Sequence, residues 1–145
     1  MIGLIQRVKQ AKVSVDNTLV SRIDNGILLL LGIEKKDTID DIKKLARKVA
    51  NLRIFEDDNA KMNLSLLDTQ GELLVVSQFT LVADTAKGNR PGFSNSAPHE
   101  LSKTLYDQFI THYSCEYTTC KSGRFGANMQ VELTNDGPAT FYLQS

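Results

Sequence analysis

Residues 26–33 read Gly-Ile-Leu-Leu-Leu-Leu-Gly-Ile, eight apolar residues without a charge. Asp24-Asn25 turns the chain just before them, and Glu34 ends them. Eight residues fall far short of the ~18 that a membrane-spanning helix needs. A short continuous apolar run bounded by turn signals is what a strand buried on both faces looks like. A chain containing such a strand must cover a sheet on two sides. The 145 residues are enough for that, since a domain of about 150 residues buries roughly 68–70% of its unfolded surface. We therefore expect a single domain over residues 1–145, with no repeat and no linker.

Other segments supply the cover. Residues 38–52 carry Ile39, Ile42, Leu45, Ala46, Val49 and Leu52 at helical spacing, with Asp37 or Thr38 placed to cap and Asp40-Asp41 in the first turn. Residues 98–113 form a second expected helix, with Leu101, Leu105, Phe109, Ile110 and Tyr113 on one face and Pro98 in its first turn. Strands are expected at 1–8, 11–15, 18–23, 53–56 and 72–79, then at 116–119, 127–133 and 140–143. Residues 85–97, rich in Gly, Pro and small polar residues, read as a long loop, and long loops are often functional. Asn135-Asp136-Gly137-Pro138 reads as a turn between the last two strands. Many strands and two helices out of strict alternation indicate an α+β fold with a mostly antiparallel or mixed sheet.

Charge excludes some partners. Seventeen Lys and Arg balance seventeen Asp and Glu, so the whole chain is not basic enough to announce a nucleic-acid binder. A local basic loop remains able to hold phosphates. Lys43, Lys44, Arg47 and Lys48 are either a nucleic-acid face or the solvated back of a helix, and the second is the expectation. Cys115 and Cys120 match no common zinc spacing, so no metal and no cofactor is expected. Residues 1–8 do not resemble an export signal, and no membrane partner is expected. A cytoplasmic location follows as an expectation.

The usual acid-base machinery is missing. His99 and His112 stand 13 residues apart on one expected helix, about 220° around its axis, so they cannot share a site within one chain. No phosphate loop, dinucleotide fingerprint or HExxH occurs. Two segments remain. Ser77-Gln78-Phe79-Thr80 ends an apolar strand, where backbone N–H groups come free to bind an anionic oxygen. The plainer account has Ser77 and Thr80 satisfying local backbone groups. Gly137-Pro138 is either an ordinary turn or a cis peptide bond that fixes two adjacent carbonyls, and sequence does not choose between them.

At these two segments the chain resembles the bacterial D-aminoacyl-tRNA deacylases, also called D-tyrosyl-tRNA deacylases. The likeness runs from Met1-Ile-Gly-Leu-Ile-Gln-Arg-Val8 through Arg53-Ile-Phe55, Lys61-Met-Asn63 and Val75-Val-Ser-Gln-Phe-Thr-Leu81. It continues through Gly88-Asn-Arg-Pro91, Gly123-Arg-Phe125 and Met129-Gln-Val131 to Asn135-Asp-Gly-Pro138. Ser-Gln-Phe-Thr and Asn-x-Gly-Pro in this order are specific together, though each alone is weak.

The resemblance implies a homodimer of barrel-like α+β subunits acting on aminoacylated tRNA, with no DNA partner. It places the active site at the dimer interface. Ser77, Gln78, Phe79 and Thr80 would form the floor in one subunit. Gly137-Pro138, as a cis bond, would enter from the other and exclude an L side chain; Arg7 either braces it or is a surface arginine on an edge strand. Phe125 and Met129 either border the pocket of the 3′ adenosine or pack in the core, and core packing is the expectation. From their place on the long loop, Lys87 and Arg90, flanking Gly88, either touch tRNA phosphates or are simply solvated. Ala139 and Gly92 depart from the valine and serine common in the family, without removing a proposed catalytic group. A non-catalytic module binding through residues 85–97, and a small-ester hydrolase without tRNA, are the competing readings.

Overall fold

The strands expected at 1–8 and 11–15 are a single one in the computed structural model, which describes all 145 residues. This strand, β1 (Ile2–Val15), is the spine of the fold. Its second half pairs antiparallel with β2 (Thr18–Ile23), and its first half with β3 (Gly26–Gly32). Asp16 and Asn17, at φ 49° and 61°, form the two-residue connection between β1 and β2. Two residues at positive φ match the right-handed twist of a hairpin, and Asp and Asn tolerate that conformation. The chain then runs through α1 (Ile39–Asn51) and a small hairpin of β4 (Phe55–Glu56) and β5 (Met62–Leu64). It returns as β6 (Glu72–Ser77), parallel to β3. After a single 3-10 turn at Phe79–Val82 come α2 (His99–Glu116), β7 (Cys120–Ser122), parallel to β6, and β8 (Gln130–Gln144), antiparallel to β1.

The sheet curls until β7 meets β2. Ser21 Oγ donates to the Ser122 carbonyl at 2.8 Å, and Lys121 Nζ to the Arg22 carbonyl at 2.7 Å. The result is a nearly closed, barrel-like mixed sheet carrying two helices. Strand parity divides the core in two. Ile27, Leu29, Leu31, Leu73 and Val75 face the helices, with Leu45, Val49, Phe109 and Tyr113. Leu28, Leu74 and Val76 point into the barrel, with Val8, Val13 and Ile23. The apolar run of β3 is thus covered on both faces, as its composition requires. The parallel strands β3 and β6 approach closely at Gly26. A Cβ there would lie 1.9 Å from the Glu72 carbonyl oxygen, so only glycine fits.

α1 begins where its cap predicts. The Asp41 carboxylate accepts from the Thr38 N–H at 2.9 Å and from the Thr38 hydroxyl at 2.8 Å. α2 runs three residues further than expected, because nothing in Ser114-Cys115-Glu116 breaks a helix, and the strand expected at 116–119 forms instead at Cys120–Ser122. Its buried face is Leu105, Tyr106, Phe109 and Tyr113, whereas Leu101 is exposed. Tyr106 reaches the core because its hydroxyl donates to the Val75 carbonyl at 2.9 Å.

The turn expected at 135–138 is not a turn. β8 passes through it without reversing, and the strands expected at 127–133 and 140–143 are one. Asn135 pairs with Val8 and Thr140 with Gln6, so four residues of β8 face the single residue Arg7 of β1. The Asn135 side chain holds this bulge. Its Oδ1 accepts from the Ala139 N–H at 3.0 Å, and its Nδ2 donates to Thr140 Oγ1 at 2.9 Å. The turn-like composition serves a wide bulge because β1 offers a template on both sides of it.

Candidate active site

Parallel pairing of β6 with β3 ends at Ser77, opposite Leu31. The Gln78 N–H still donates to the Leu31 carbonyl at 2.8 Å, and the chain then enters the 3-10 turn. The first N–H groups of a helical turn have no acceptor within it. The N–H groups of Phe79 and Thr80 accordingly make no backbone hydrogen bond, while Leu81 N–H donates to the Gln78 carbonyl. Two unpaired donors therefore stand side by side at the end of a buried strand.

Beside them opens a cleft of ≈ 580 Å³ at the mouth of the barrel. Its walls are the strand end from Val76 to Phe79, the start of α2, and residues 125–129. Ser77, Gln78, Phe79, Phe125 and Met129, all singled out in sequence, line it. The Phe125 ring packs against Tyr106 at 5.4 Å and against His99 at 5.3 Å between centroids. Thr80 is exposed and is not part of the wall. Its hydroxyl accepts from Gln78 Nε2 at 2.5 Å, and no imidazole or carboxylate bonds it as a base.

His99 lines the same cleft, together with Ser96, Ser102 and Asn128. None of these was identified from sequence. His99 is the first residue of α2, and its position directly after the long loop was the available signal. It sits at the rim, 69% exposed, with Nδ1 3.3 Å from Glu100 Oε1. Phe79, 61% exposed, packs on the exposed Phe93 at 5.0 Å between centroids. Lys87 and Arg90 lie on an arm closed by reciprocal 2.8 Å hydrogen bonds between Asp84 and Gly92. Both are exposed, and neither lines the cleft.

Gly137-Pro138 is a cis peptide bond, set in the β8 bulge and exposed. Beneath it lies Arg7, only 4% exposed. Arg7 Nε donates to the Asp136 carbonyl at 3.1 Å and Nη1 to the Ile54 carbonyl at 2.6 Å. The carboxylates of Asp136 and Glu56 stand 3.4 and 3.7 Å from the guanidinium. Arg7 is thus not a surface residue of an edge strand. It is a buried cation tying β8 to the segment after α1. Gly137 adopts φ +120°, and a Cβ on it would lie 2.8 Å from Arg7 Nη2.

Within one chain the two signature segments do not meet. The ladder aligns Arg7 with Ile27 and Leu73, and aligns Gly3 with Leu31 and Ser77. Four residues along β6 correspond to roughly 13 Å, and three further strand spacings separate β8 from β6.

The family described as D-Tyr-tRNA(Tyr) deacylase matches residues 4–144. A D-aminoacyl-tRNA deacylase of Shewanella frigidimarina is 57% identical over 99% of both chains. One of Thermosipho africanus is 54% identical over 100% of this chain and 97% of its own. Among solved structures, a c-Myc DNA Unwinding Element Binding Protein superposes with a TM-score of 0.96 at 42% identity, over 100% of this chain and 99% of that one. A probable eukaryotic D-amino acid tRNA deacylase shares the fold, with a TM-score of 0.79 at 17% identity over 98% of each chain.

Proposed function

This chain belongs to the D-Tyr-tRNA(Tyr) deacylase family, and from that membership we propose that it hydrolyses the ester of D-aminoacyl-tRNA at a site completed by a second copy of itself. The observation that carries the composite site is the strand register. It holds Gly137-Pro138 far from Ser77-Thr80 in one chain, yet leaves it exposed on a buried, hydrogen-bonded arginine. A rigid, exposed segment of this kind suits insertion into a neighbour's cleft.

The reaction asks little of side chains. An aminoacyl ester is already activated, and its ribose carries an adjacent 2′-hydroxyl. Water adds to the ester carbonyl. The negative oxygen of the tetrahedral intermediate sits between the N–H groups of Phe79 and Thr80. The 3′-oxygen then leaves with a proton, the 2′-hydroxyl taking part in its transfer. Losing one preorganised donor of this type costs about 2.7–4 kcal/mol in the barrier. Thr80 contributes its N–H and not a nucleophilic hydroxyl, since that hydroxyl has no base. Phe125 and Met129 border the terminal adenosine.

Selectivity comes from exclusion. The carbonyls of the neighbour's Gly137-Pro138 segment hold the α-amino group and occupy the space of an L side chain. An apolar contact discriminates by only ~1–3 kcal/mol, whereas a clash with braced backbone has no such limit. Glycyl-tRNA, with nothing to exclude, is a substrate as well. Lys87 and Arg90 on their exposed arm meet tRNA phosphates outside the cleft. The substrate places the reaction in the cytoplasm, where translation consumes aminoacyl-tRNA.

Two disabled variants test the composite site. Phe79→Pro removes one oxyanion donor at a position where proline fits the first turn of a helix. Gly137→Ala disturbs the entering segment. Each alone should be inactive. Refolded together in equal amounts, they should recover about a quarter of wild-type turnover, because half of the randomly formed dimers are hybrids and each hybrid keeps one intact site of two. No recovery from verified hybrid dimers places the site within one chain.

A further inference from the structure

The C-terminal half of α1 and the residues after it form a second concavity, ≈ 540 Å³ and open to solvent. Its lining includes Lys44, Arg47, Lys48 and Arg53, with Asn51 and Leu52, and no carboxylate. Four cations around one groove are a concentration of charge in a chain of formal net charge zero. Arg47 and Lys48 are exposed and make no ion pair, and Lys44 has only a 3.8 Å contact with Asp41. Arg53 is fixed in place, its Nε donating to the Asn63 carbonyl at 2.6 Å. Cations near a helix C-terminus complement its dipole. That accounts for Lys48, in the last turn. It accounts neither for Arg53, which lies beyond the helix, nor for the convergence of all four.

The groove is tied to the Gly137-Pro138 segment through Arg7. Arg53 precedes Ile54, whose carbonyl accepts from Arg7 Nη1, while Arg7 Nε holds the Asp136 carbonyl next to Gly137. We propose that this groove binds backbone phosphates of the tRNA acceptor strand. It does so for the cleft of the neighbouring copy, the one that receives Gly137-Pro138, and in that respect it rests on the composite site proposed above. The lining holds no aromatic side chain on which a base could stack. Its contribution is therefore electrostatic and blind to sequence. The copy that supplies the chirality filter also guides the RNA that carries the ester.

The test pairs Arg47→Ala/Lys48→Ala with the wild type. Both residues are exposed and outside the catalytic machinery, and Arg53 is left intact because it supports Asn63. Thermal unfolding should coincide for the two proteins. The variant should show a KM for D-aminoacyl-tRNA raised about tenfold with kcat unchanged. Its hydrolysis of a 3′-D-aminoacyl-adenosine, which lacks the phosphates, should be unaltered. The slope of log affinity for uncharged tRNA against log salt should fall by about 1.4–1.8, at roughly 0.7–0.9 per lost phosphate contact. An unchanged KM and salt slope overturn the proposal, as does an equal loss on the adenosine ester. Binding of a DNA duplex as tight as that of tRNA, and equally weakened in the variant, overturns the assignment to RNA. If the wild type hydrolyses neither substrate, yet the salt slope for tRNA falls in the variant, the groove stands and the deacylase reading fails.

Discussion

A methyl group on Gly137 would sit 2.8 Å from Arg7 Nη2 on a backbone at φ +120°. Both the contact and the conformation disfavour any L side chain. Gly137→Ala should lower stability by about 1–3 kcal/mol, read by urea unfolding, and should abolish D-aminoacyl-tRNA turnover in the surviving folded protein. Stability equal to wild type would show that Arg7 yields freely. Thr80→Ala keeps the backbone N–H and should retain turnover within about tenfold, since loss of a true nucleophile typically costs about 10⁶. An acyl-enzyme found by mass spectrometry would assign the chemistry to the hydroxyl. Burial pushes the Cys120 thiol up to about 12. It should resist alkylation at pH 8 in the folded protein and react fully once unfolded; rapid labelling of the native protein would contradict its burial. At this scale sequence shows residue types but not neighbours. Arg7 reads equally as surface or brace until Ile54 and Asp136 are seen beneath it, and His99 joins the cleft only because α2 begins there.

Among the elements, α1 is the one whose start can be read directly, since Thr38 and Asp41 sit three residues apart before an apolar stripe. The Thr38 hydroxyl, bonded to the Asp41 carboxylate, holds that carboxyl below its ordinary value of 3.8. A lowered folded value means stability that is present above 3.8 and lost as pH falls through the folded value. Thr38→Ala should therefore cost about 1 kcal/mol near neutrality, and the difference from wild type should shrink in acid below 3.8. A gap that persists unchanged at low pH would remove the carboxylate from the account. The central strands were legible for a similar reason, since continuous apolar runs leave a strand no exposed face. β8 was not. Its Asn-Asp-Gly-Pro has the composition of a turn, and only the unbroken edge of β1 makes it a bulge. β7 lies beyond the strand expected at 116–119, because its three residues pair only with β6, far away in sequence.

For the whole molecule, one curled sheet sets two fixed points far apart: a pair of unpaired N–H groups beside a cleft, and an exposed Gly-Pro knuckle on a buried arginine. Fold class and both segments could be read from the sequence because their residues are contiguous. Their separation could not, since it depends on the register of four strands. The central claim is that chirality is sensed by exclusion, and it is tested most directly by turnover of D-tyrosyl-, L-tyrosyl- and glycyl-tRNA by the unmodified protein. Exclusion predicts rapid hydrolysis of the D-tyrosyl ester, clear hydrolysis of the glycyl ester, and none of the L-tyrosyl ester above the uncatalysed rate. Rejection of glycyl-tRNA as complete as that of L-tyrosyl-tRNA, or equal hydrolysis of the D and L esters, would contradict it.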